Sequence, residues 1–257
     1  MNSMEDKLKV FQELLEIMDR LRVECPWDIK QTNESLRNLT IEETYELADA
    51  ILEGDQVEIK NELGDLLLHI VFYAKVGSET GDFDIADITR SLNEKLIYRH
   101  PHIFGDIEVE DADDVKKNWE ELKLREGRTV LQGVPRSLPA MIKANRIQEK
   151  VKAVGFDWDE REQVWDKVRE ELDELSEEVQ KEDQERMESE FGDLLFSVIN
   201  AGRLYGIDPE TALEKTNLKF IKRFNYLEQN TLKKGRKLKD MNLDEMNDIW
   251  EQAKNKD

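Results

Sequence analysis

Apolar residues recur at helical spacing along two neighbouring segments in the first third of the chain. The first segment carries Ile41, Tyr45, Ala48 and Leu52, and the second carries Leu63, Leu66, Leu67, Ile70 and Ala74. Because residues three or four apart share one face of a helix, each segment predicts an amphipathic helix. A Gly-Asp pair at positions 54 and 55 separates the segments and marks a turn. The pattern therefore predicts a helical hairpin.

A second copy of this hairpin pattern begins at Val168 with "VREELDELSEEVQKEDQERMESEFGDLLFSVINAGR". Four acidic residues of the first copy recur 128 positions later: Glu43, Glu46, Glu62 and Asp65 correspond to Glu171, Glu174, Glu190 and Asp193. After a shorter loop the match resumes at an offset of 124, where Lys95 and Arg99 correspond to Lys219 and Arg223. The chain is therefore predicted to be a tandem duplication.

Few residues in this chain interrupt helices. It has 12 Gly and 5 Pro among 257 residues, so most of it can continue as helix. The predicted fold class is all-α, with tandem duplicated helical-hairpin domains. Two glycines and two prolines cluster in "LREGRTVLQGVPRSLPA" at 124–140, which predicts a linker. We place the first repeat at 1–125, the linker at 126–136 and the second repeat at 137–257.

The charge of the chain limits its partners. Acidic residues outnumber basic ones by 59 to 38, and a net charge of -21 repels a nucleic-acid backbone. The basic stretch "LKKGRKLK" at 232–239 is interpreted as a solvated loop, so nucleic-acid binding is not expected. No stretch approaches the ~20 apolar residues of a membrane span, and the first helix lacks the apolar core of a signal peptide. With Cys25 as the only cysteine, a cytoplasmic protein is predicted.

The four acids of each copy lie symmetrically about the turn. Positions 46 and 62 average to 54, as do 43 and 65, and the second copy is symmetric about 182. In an antiparallel hairpin we therefore expect Glu46 to face Glu62 and Glu43 to face Asp65. Clustered carboxylates repel one another unless a cation lies among them. Oxygen ligands favour Mg²⁺, Mn²⁺ or Ca²⁺ over zinc, and Mg²⁺ commonly shares its ligands with substrate phosphates.

Other interpretations of these carboxylates differ in what they require. A di-iron bundle needs Glu-x-x-His motifs, and none of the three histidines has Glu three residues before it. A P-loop needs a Gly-Lys dipeptide, which the chain lacks. A solvated acidic surface, and a helical regulatory protein that binds nucleotide or metal without turnover, stay open as alternatives.

Six short motifs follow one another along nearly the whole chain. They are "CPWD", "EETYE…ELGD", "YRHPHIFGD", "GVPRSLPA", "VGFDWD" and "EELDE…EFGD". In this combination they resemble the MazG family of nucleoside triphosphate pyrophosphohydrolases. The resemblance implies an all-α homodimer, paired through its helical hairpins, that uses Mg²⁺ to hydrolyse nucleoside triphosphates such as ATP to the monophosphate and pyrophosphate.

The resemblance also implies roles for individual residues. Catalytic and metal-binding roles fall on Glu171, Glu174, Glu190 and Asp193, with an equivalent first metal site at Glu43, Glu46, Glu62 and Asp65. Substrate contacts fall on Lys167, Glu170, Glu171, Lys219, Arg223 and Trp250. The first copy has leucine at position 39, which corresponds to Lys167, and no evident equivalent of Trp250. The C-terminal site is therefore expected to dominate. Since the sequence reveals no base-specific pocket, broad base specificity is expected.

Three further residues are interpreted as structural. His69 lies on the apolar side of its helix and is replaced by Ser197 in the second copy, which favours a packed core histidine over a metal ligand. Trp27 and Trp158 are predicted to pack beside the sites.

Overall fold

The fold class follows directly from the secondary structure. The computed structural model describes residues 2–112, 114–115, 118–119, 122, 127, 129–233 and 235–255. All regular elements within these residues are helical, which confirms the all-α prediction. No helix among them is long and apolar enough to cross a membrane. Internal contacts divide the chain into two compact units, Met1–Glu108 and Val109–Asp257.

The predicted repeat boundaries at 125 and 137 differ from this division and stay predictions. Residues 126 and 128 of the predicted linker lie outside the described residues.

The first unit is built around one antiparallel hairpin. Its helices are α1 (Met4–Glu24), α2 (Asn33–Glu53), α3 (Gln56–Thr80), α4 (Ile85–Arg99) and α5 (Pro101–Phe104). Helices α2 and α3 pack along each other, and α1 packs on α3. Met18, Leu36, Val71 and Phe72 form a buried cluster between these three helices. This cluster is the apolar core of the first unit.

The second unit repeats the hairpin and adds helices around it. Its helices are α6 (Ala140–Lys152), α7 (Val164–Lys181), α8 (Gln184–Leu204), α9 (Pro209–Lys233) and α10 (Leu243–Lys254). Helices α7 and α8 form the second hairpin, α6 packs on α8, and α10 packs on α9. Both predicted hairpins are therefore present.

The two hairpins turn at equivalent positions, each with a left-handed residue followed by an aspartate that caps the next helix. Gly54 ends α2 with φ 74°, in the left-handed region, and Asp55 caps α3 by accepting backbone N–H bonds from residues 57 and 58. Glu182 ends α7 with φ 57°, and Asp183 caps α8 by accepting one backbone N–H bond, from Arg186. A left-handed conformation favours glycine because a Cβ atom crowds the neighbouring backbone. The second turn is thus the more strained of the two.

This strain predicts that Glu182→Gly stabilises the second unit. We expect the free energy of unfolding to rise by about 0.5–1 kcal/mol, since glycine adopts positive φ at little cost. Chemical denaturation of the variant and the wild type measures the difference. Glu182→Gln, which removes the charge and keeps the Cβ atom, should not reproduce the gain. Gly54→Ala should destabilise the first unit, because alanine is strained at the positive φ of this position. Nothing lies within 4 Å of the added Cβ, so the backbone conformation is the only source of this cost.

The apolar stripe of the first hairpin is only partly buried within one chain. Ala74 is buried and Leu66 is half-buried, whereas Tyr45 is 52% exposed and Leu63 is 53% exposed. A two-helix hairpin covers only the strip between its helices, so the rest of each stripe faces outward. The hairpin prediction is confirmed, but its apolar face extends beyond the core.

His69 has the structural role that its position indicates. Its side chain is buried, and its Nδ1 lies 2.8 Å from the hydroxyl oxygen of Thr40. Burial lowers the pKa of this imidazole, so the neutral form is favoured. The prediction of a packed core histidine is confirmed.

Candidate functional site

The first hairpin brings three carboxylates together. Glu43 on α2 and Glu62 and Asp65 on α3 each offer one oxygen within 4.8 Å of the others. These residues meet because α2 and α3 run antiparallel and place positions equidistant from Gly54 side by side. Glu46, which we expected to face Glu62, lies outside this close group.

The electrostatics of this first group are those of mutually repelling acids. Burial, and then the charges of Asp65 and Glu46, raise the pKa of Glu43. Burial, and then the charges of Glu46 and Asp65, raise the pKa of Glu62. The Oε2 atom of Glu62 is buried and has no hydrogen-bond partner within the described part of the chain. An orphaned carboxylate oxygen among other acids fits a hard cation such as Mg²⁺.

The second hairpin forms the equivalent group with a different membership. Glu171 and Glu174 on α7 and Glu190 on α8 each offer one oxygen within 4.8 Å of the others. Glu174 is the counterpart of Glu46 and joins the group, whereas Asp193 lies outside it. Glu171 is only 6% exposed. Burial and the charge of Glu171 raise the pKa of Glu174, so this donor set also fits a hard cation.

Lys167 supplies a counter-charge beside the second group. Its Nζ atom lies 2.7 Å from Glu171 and 2.9 Å from Glu170, one turn along α7. Hydrogen bonds to these two carboxylates raise the pKa of the lysine, so it carries a full positive charge at neutral pH. In the first unit, Leu39 occupies the equivalent position and packs against the apolar core. Only the second of these two positions therefore offers a cation.

A cleft of about 550 Å³ opens beside the carboxylates of the second unit. Its lining combines charged and aromatic side chains. The charged ones are Asp157, Lys167, Glu171, Asp193 and Arg203, and the aromatic ones are Phe156, Trp158 and Phe196. This volume and this mixture are typical of pockets for small molecules. The sequence did not predict the cleft. Trp158 was expected to pack beside the site, and it forms part of the cleft wall.

Residue size explains why the second hairpin leaves this space. Helix α3 carries His69, Phe72 and Tyr73, and the equivalent positions of α8 carry Ser197, Asn200 and Ala201. Phe72 is 3% exposed and belongs to the core of the first unit, whereas Ser197 and Asn200 line the cleft of the second. Smaller side chains on α8 thus leave volume that larger ones fill on α3.

The remaining predicted substrate contacts lie on the last two helices. Lys219 is exposed and Arg223 is half-buried on α9. Trp250 on α10 packs against Phe220, with ring centroids 4.9 Å apart. None of these three residues lines the cleft. Their assignment to the substrate stays a prediction.

Several cleft residues escaped the sequence analysis, and two of them are polar amides. Gln148 on α6 and Asn200 on α8 both line the cleft. Asn200 could have been noticed, because the 128-residue offset pairs this polar residue with the apolar Phe72. Phe72 lies on a helix whose other side is charged, so a polar residue is unexpected at its counterpart. Gln148 had no such signal, because α6 lies outside the well-aligned part of the duplication.

The fold and the site define a class: an all-α protein of duplicated helical hairpins, each with its own carboxylate group. The family profile described as "MazG nucleotide pyrophosphohydrolase domain" matches this chain twice, at residues 31–104 and 160–227. The two matches cover the two hairpins.

Curated relatives match most of this chain. The nucleoside triphosphate pyrophosphohydrolase/pyrophosphatase MazG of Thermotoga maritima is 44% identical over 254 residues, which cover 96% of this chain and 97% of that protein. The nucleoside triphosphate pyrophosphohydrolase of Escherichia coli K12 is 42% identical over 251 residues, covering 94% and 95%. The uncharacterized protein YabN of Bacillus subtilis is 44% identical over 235 residues, covering 90% of this chain and 48% of YabN. The chain belongs to the MazG nucleotide pyrophosphohydrolase family.

Proposed function

We propose that this chain hydrolyses nucleoside triphosphates to nucleoside monophosphates and pyrophosphate, chiefly at the carboxylate group of its second unit. The observation that carries the proposal is the meeting of three features in that unit. Close carboxylates, the Lys167 ammonium and a cleft for a small molecule lie side by side. The printed names of the curated relatives support the same reaction.

The carboxylates are proposed to hold Mg²⁺, for which Mn²⁺ is a chemically similar substitute. The ligands would be Glu171, Glu174, Glu190 and Asp193 in the second unit, and Glu43, Glu46, Glu62 and Asp65 in the first. When bound, the cation withdraws charge from the phosphate and lowers the pKa of a bound water. The buried, unpartnered Oε2 of Glu62 and the raised pKa values of Glu43 and Glu174 support this proposal.

Residues of the chain are proposed to bind and orient the triphosphate. The Lys167 ammonium donates N–H bonds to phosphate oxygens, as Lys219 and Arg223 are proposed to do from α9. Glu171 is engaged in the carboxylate group, which leaves the more exposed Glu170 as the candidate proton acceptor. Trp250 is proposed to contact the nucleotide.

The second unit is proposed to contribute most of the activity. In the first unit, Leu39 replaces the lysine, and Phe72 fills space that the second unit leaves open. The first unit would therefore hold a cation without an equally good nucleotide pocket. Broad base specificity is proposed for the second.

A homodimer is proposed, paired through the exposed apolar faces of the hairpins. Tyr45 and Leu63 in the first hairpin and Phe191 and Leu195 in the second leave large apolar areas exposed on a single chain. Exposed apolar patches commonly mark interfaces between proteins. Light scattering measures the mass, which should be twice the 30.2 kDa of one chain. A cytoplasmic location stays a prediction.

A direct assay of pyrophosphate release tests the proposed function. Wild-type protein with Mg²⁺ and each standard nucleoside triphosphate should release pyrophosphate and the matching monophosphate in equal amounts. Chelation of the divalent cation should abolish the release, because four acids cannot bind a triphosphate unaided. Saturable nucleotide binding with no pyrophosphate released would favour the non-catalytic regulatory protein instead.

A further inference from the structure

A loop of the second unit carries two aromatic residues of the cleft lining. This segment, residues 153–160, follows α6 and is called the aromatic loop; its Phe156 and Trp158 both line the cleft. Phe156 is 78% exposed and Trp158 is 39% exposed, so neither ring is anchored in the core. Backbone hydrogen bonds from Gly155 and Phe156 to carbonyls at the end of α6 secure the start of the loop. The position of the rings therefore depends on what holds the rest of the loop.

An ion pair fastens the middle of this loop to α8. Both oxygens of the Asp157 carboxylate accept hydrogen bonds from the guanidinium of Arg203, one of them at 3.1 Å. The Arg203 side chain is only 8% exposed, and that of Asp157 is 18% exposed. A bidentate bond between arginine and a carboxylate is strong and directional, and a largely buried pair is little screened by salt. This pair therefore fixes the aromatic loop relative to the hairpin.

The other hydrogen bonds of Arg203 lie within its own helix. Its Nε and one terminal nitrogen donate to the Oδ1 atom of Asn200, three residues earlier on α8, at 2.9 and 2.8 Å. These bonds orient the guanidinium, whereas the link to the loop passes through Asp157. Because its N–H groups are engaged by these two partners, Arg203 is placed to act on a ligand through the loop.

The first unit has neither member of this pair. The 128-residue offset places Lys75 opposite Arg203, and alignment of the Trp-Asp dipeptide shared by the two loops places Pro26 opposite Asp157. Lys75 lies 2.7 Å from Asp19 on α1 and so pairs with a neighbouring helix. The ion pair between loop and hairpin thus belongs to the unit that has the cleft.

We propose that Asp157 and Arg203 are positioning residues for substrate binding, because their ion pair holds the aromatic loop where its rings form one wall of the cleft. This inference rests on the proposed function and adds residues that act through the loop. Neither residue takes part in the reaction at the phosphates. Loss of the pair lets the loop move and weakens binding of the ground state and the transition state alike, so KM rises and kcat stays nearly constant.

Steady-state kinetics with ATP and Mg²⁺ on the full-length protein test the inference. Asp157→Asn keeps the shape of the carboxylate without its charge, and Arg203→Lys keeps the charge without the bidentate geometry. We expect each variant to raise KM about tenfold, with kcat within about twofold of the wild type. The double variant should raise KM no further than the stronger single variant, because both changes act on one bond.

Glu79→Gln is the matched control, since it makes the same chemical change in the first unit. Glu79 on α3 accepts hydrogen bonds at 2.8 and 2.9 Å from Arg22, whose side chain is 9% exposed. This variant breaks an ion pair of the same kind, so it should lower the thermal stability as Asp157→Asn does and leave KM unchanged. An equal rise of KM in Glu79→Gln would overturn the inference, because general loosening of the protein would then explain the effect.

Hydrogen exchange followed by mass spectrometry gives a second readout that is independent of turnover. The backbone amides of residues 153–160 should exchange faster in Asp157→Asn and Arg203→Lys than in the wild type. Unchanged exchange in this loop would overturn the inference, as would an unchanged KM in folded Arg203→Lys, while the proposed function would stand. A fall in kcat without a rise in KM would assign the pair to the reaction step and refute the positioning role. If the wild type released no pyrophosphate, the proposed function would fail, and the inference with it.

Discussion

Glu174→Ala is expected to lower kcat/KM for every nucleoside triphosphate by about 10²-fold to 10³-fold, whereas Glu46→Ala should leave it nearly unchanged. The two residues occupy equivalent positions, and both are exposed on the first helix of their hairpin. Glu174 belongs to the close carboxylate group beside Lys167 and the cleft. Its loss removes a negative charge that is proposed to hold the cation, which stabilises the charge that develops on the phosphate in the transition state. Glu46 lies in the unit without that lysine. Steady-state pyrophosphate release measures both variants.

Asp173→Ala is the matched control for this pair of variants. Asp173 is an exposed acid next to Glu174 on α7, and it does not belong to the carboxylate group. Its removal changes the net charge equally and should not change kcat/KM. Equal losses in Glu46→Ala and Glu174→Ala would mean that both units catalyse the reaction. A loss confined to Glu46→Ala would reverse the assignment of the dominant unit.

The hairpins and their carboxylate groups were accessible from the sequence because they depend on short-range regularities. Helical periodicity fixes which side chains share a face, and the symmetry about residues 54 and 182 fixes which positions meet across the turn. Both turns occur at the expected residues, although one uses Gly54 and the other Glu182. The all-α class and the duplication followed from the same regularities.

The membership of each carboxylate group could not be predicted in the same way. The symmetry argument treats Glu46 and Glu174 as identical, yet only Glu174 joins its close group. Helix positions bring side chains to within a few ångströms, and rotamers decide the rest. Those rotamers respond to neighbours such as Lys167, whose counterpart in the first unit is Leu39.

The cleft could not be predicted from the sequence, because it depends on the combined sizes of side chains on several helices. No residue of the second unit forms it alone, and its wall includes Gln148 on α6, which the duplication does not align. Comparison of the two units indicates a functional reason for the cleft. Burying a large aromatic ring such as Phe72 stabilises a core by several kcal/mol. The second unit has Asn200 at the equivalent position and lacks this stabilisation. An open space beside a carboxylate group, where a core could have been packed, is typical of a ligand-binding pocket.

Asn200→Phe should therefore inactivate the second unit by filling its cleft with the residue that the first unit uses. We expect kcat/KM to fall by about 10²-fold, because the ring occupies space proposed for the nucleotide. Asn200 also accepts hydrogen bonds from Arg203 at 2.8 and 2.9 Å, so Asn200→Leu serves as the control that loses these bonds without adding a ring. Steady-state kinetics and thermal unfolding of both variants separate blocked binding from lost stability. If both variants lose activity equally, the bonds to Arg203 matter and the volume of the cleft does not; if Asn200→Phe remains folded and fully active, the nucleotide binds elsewhere.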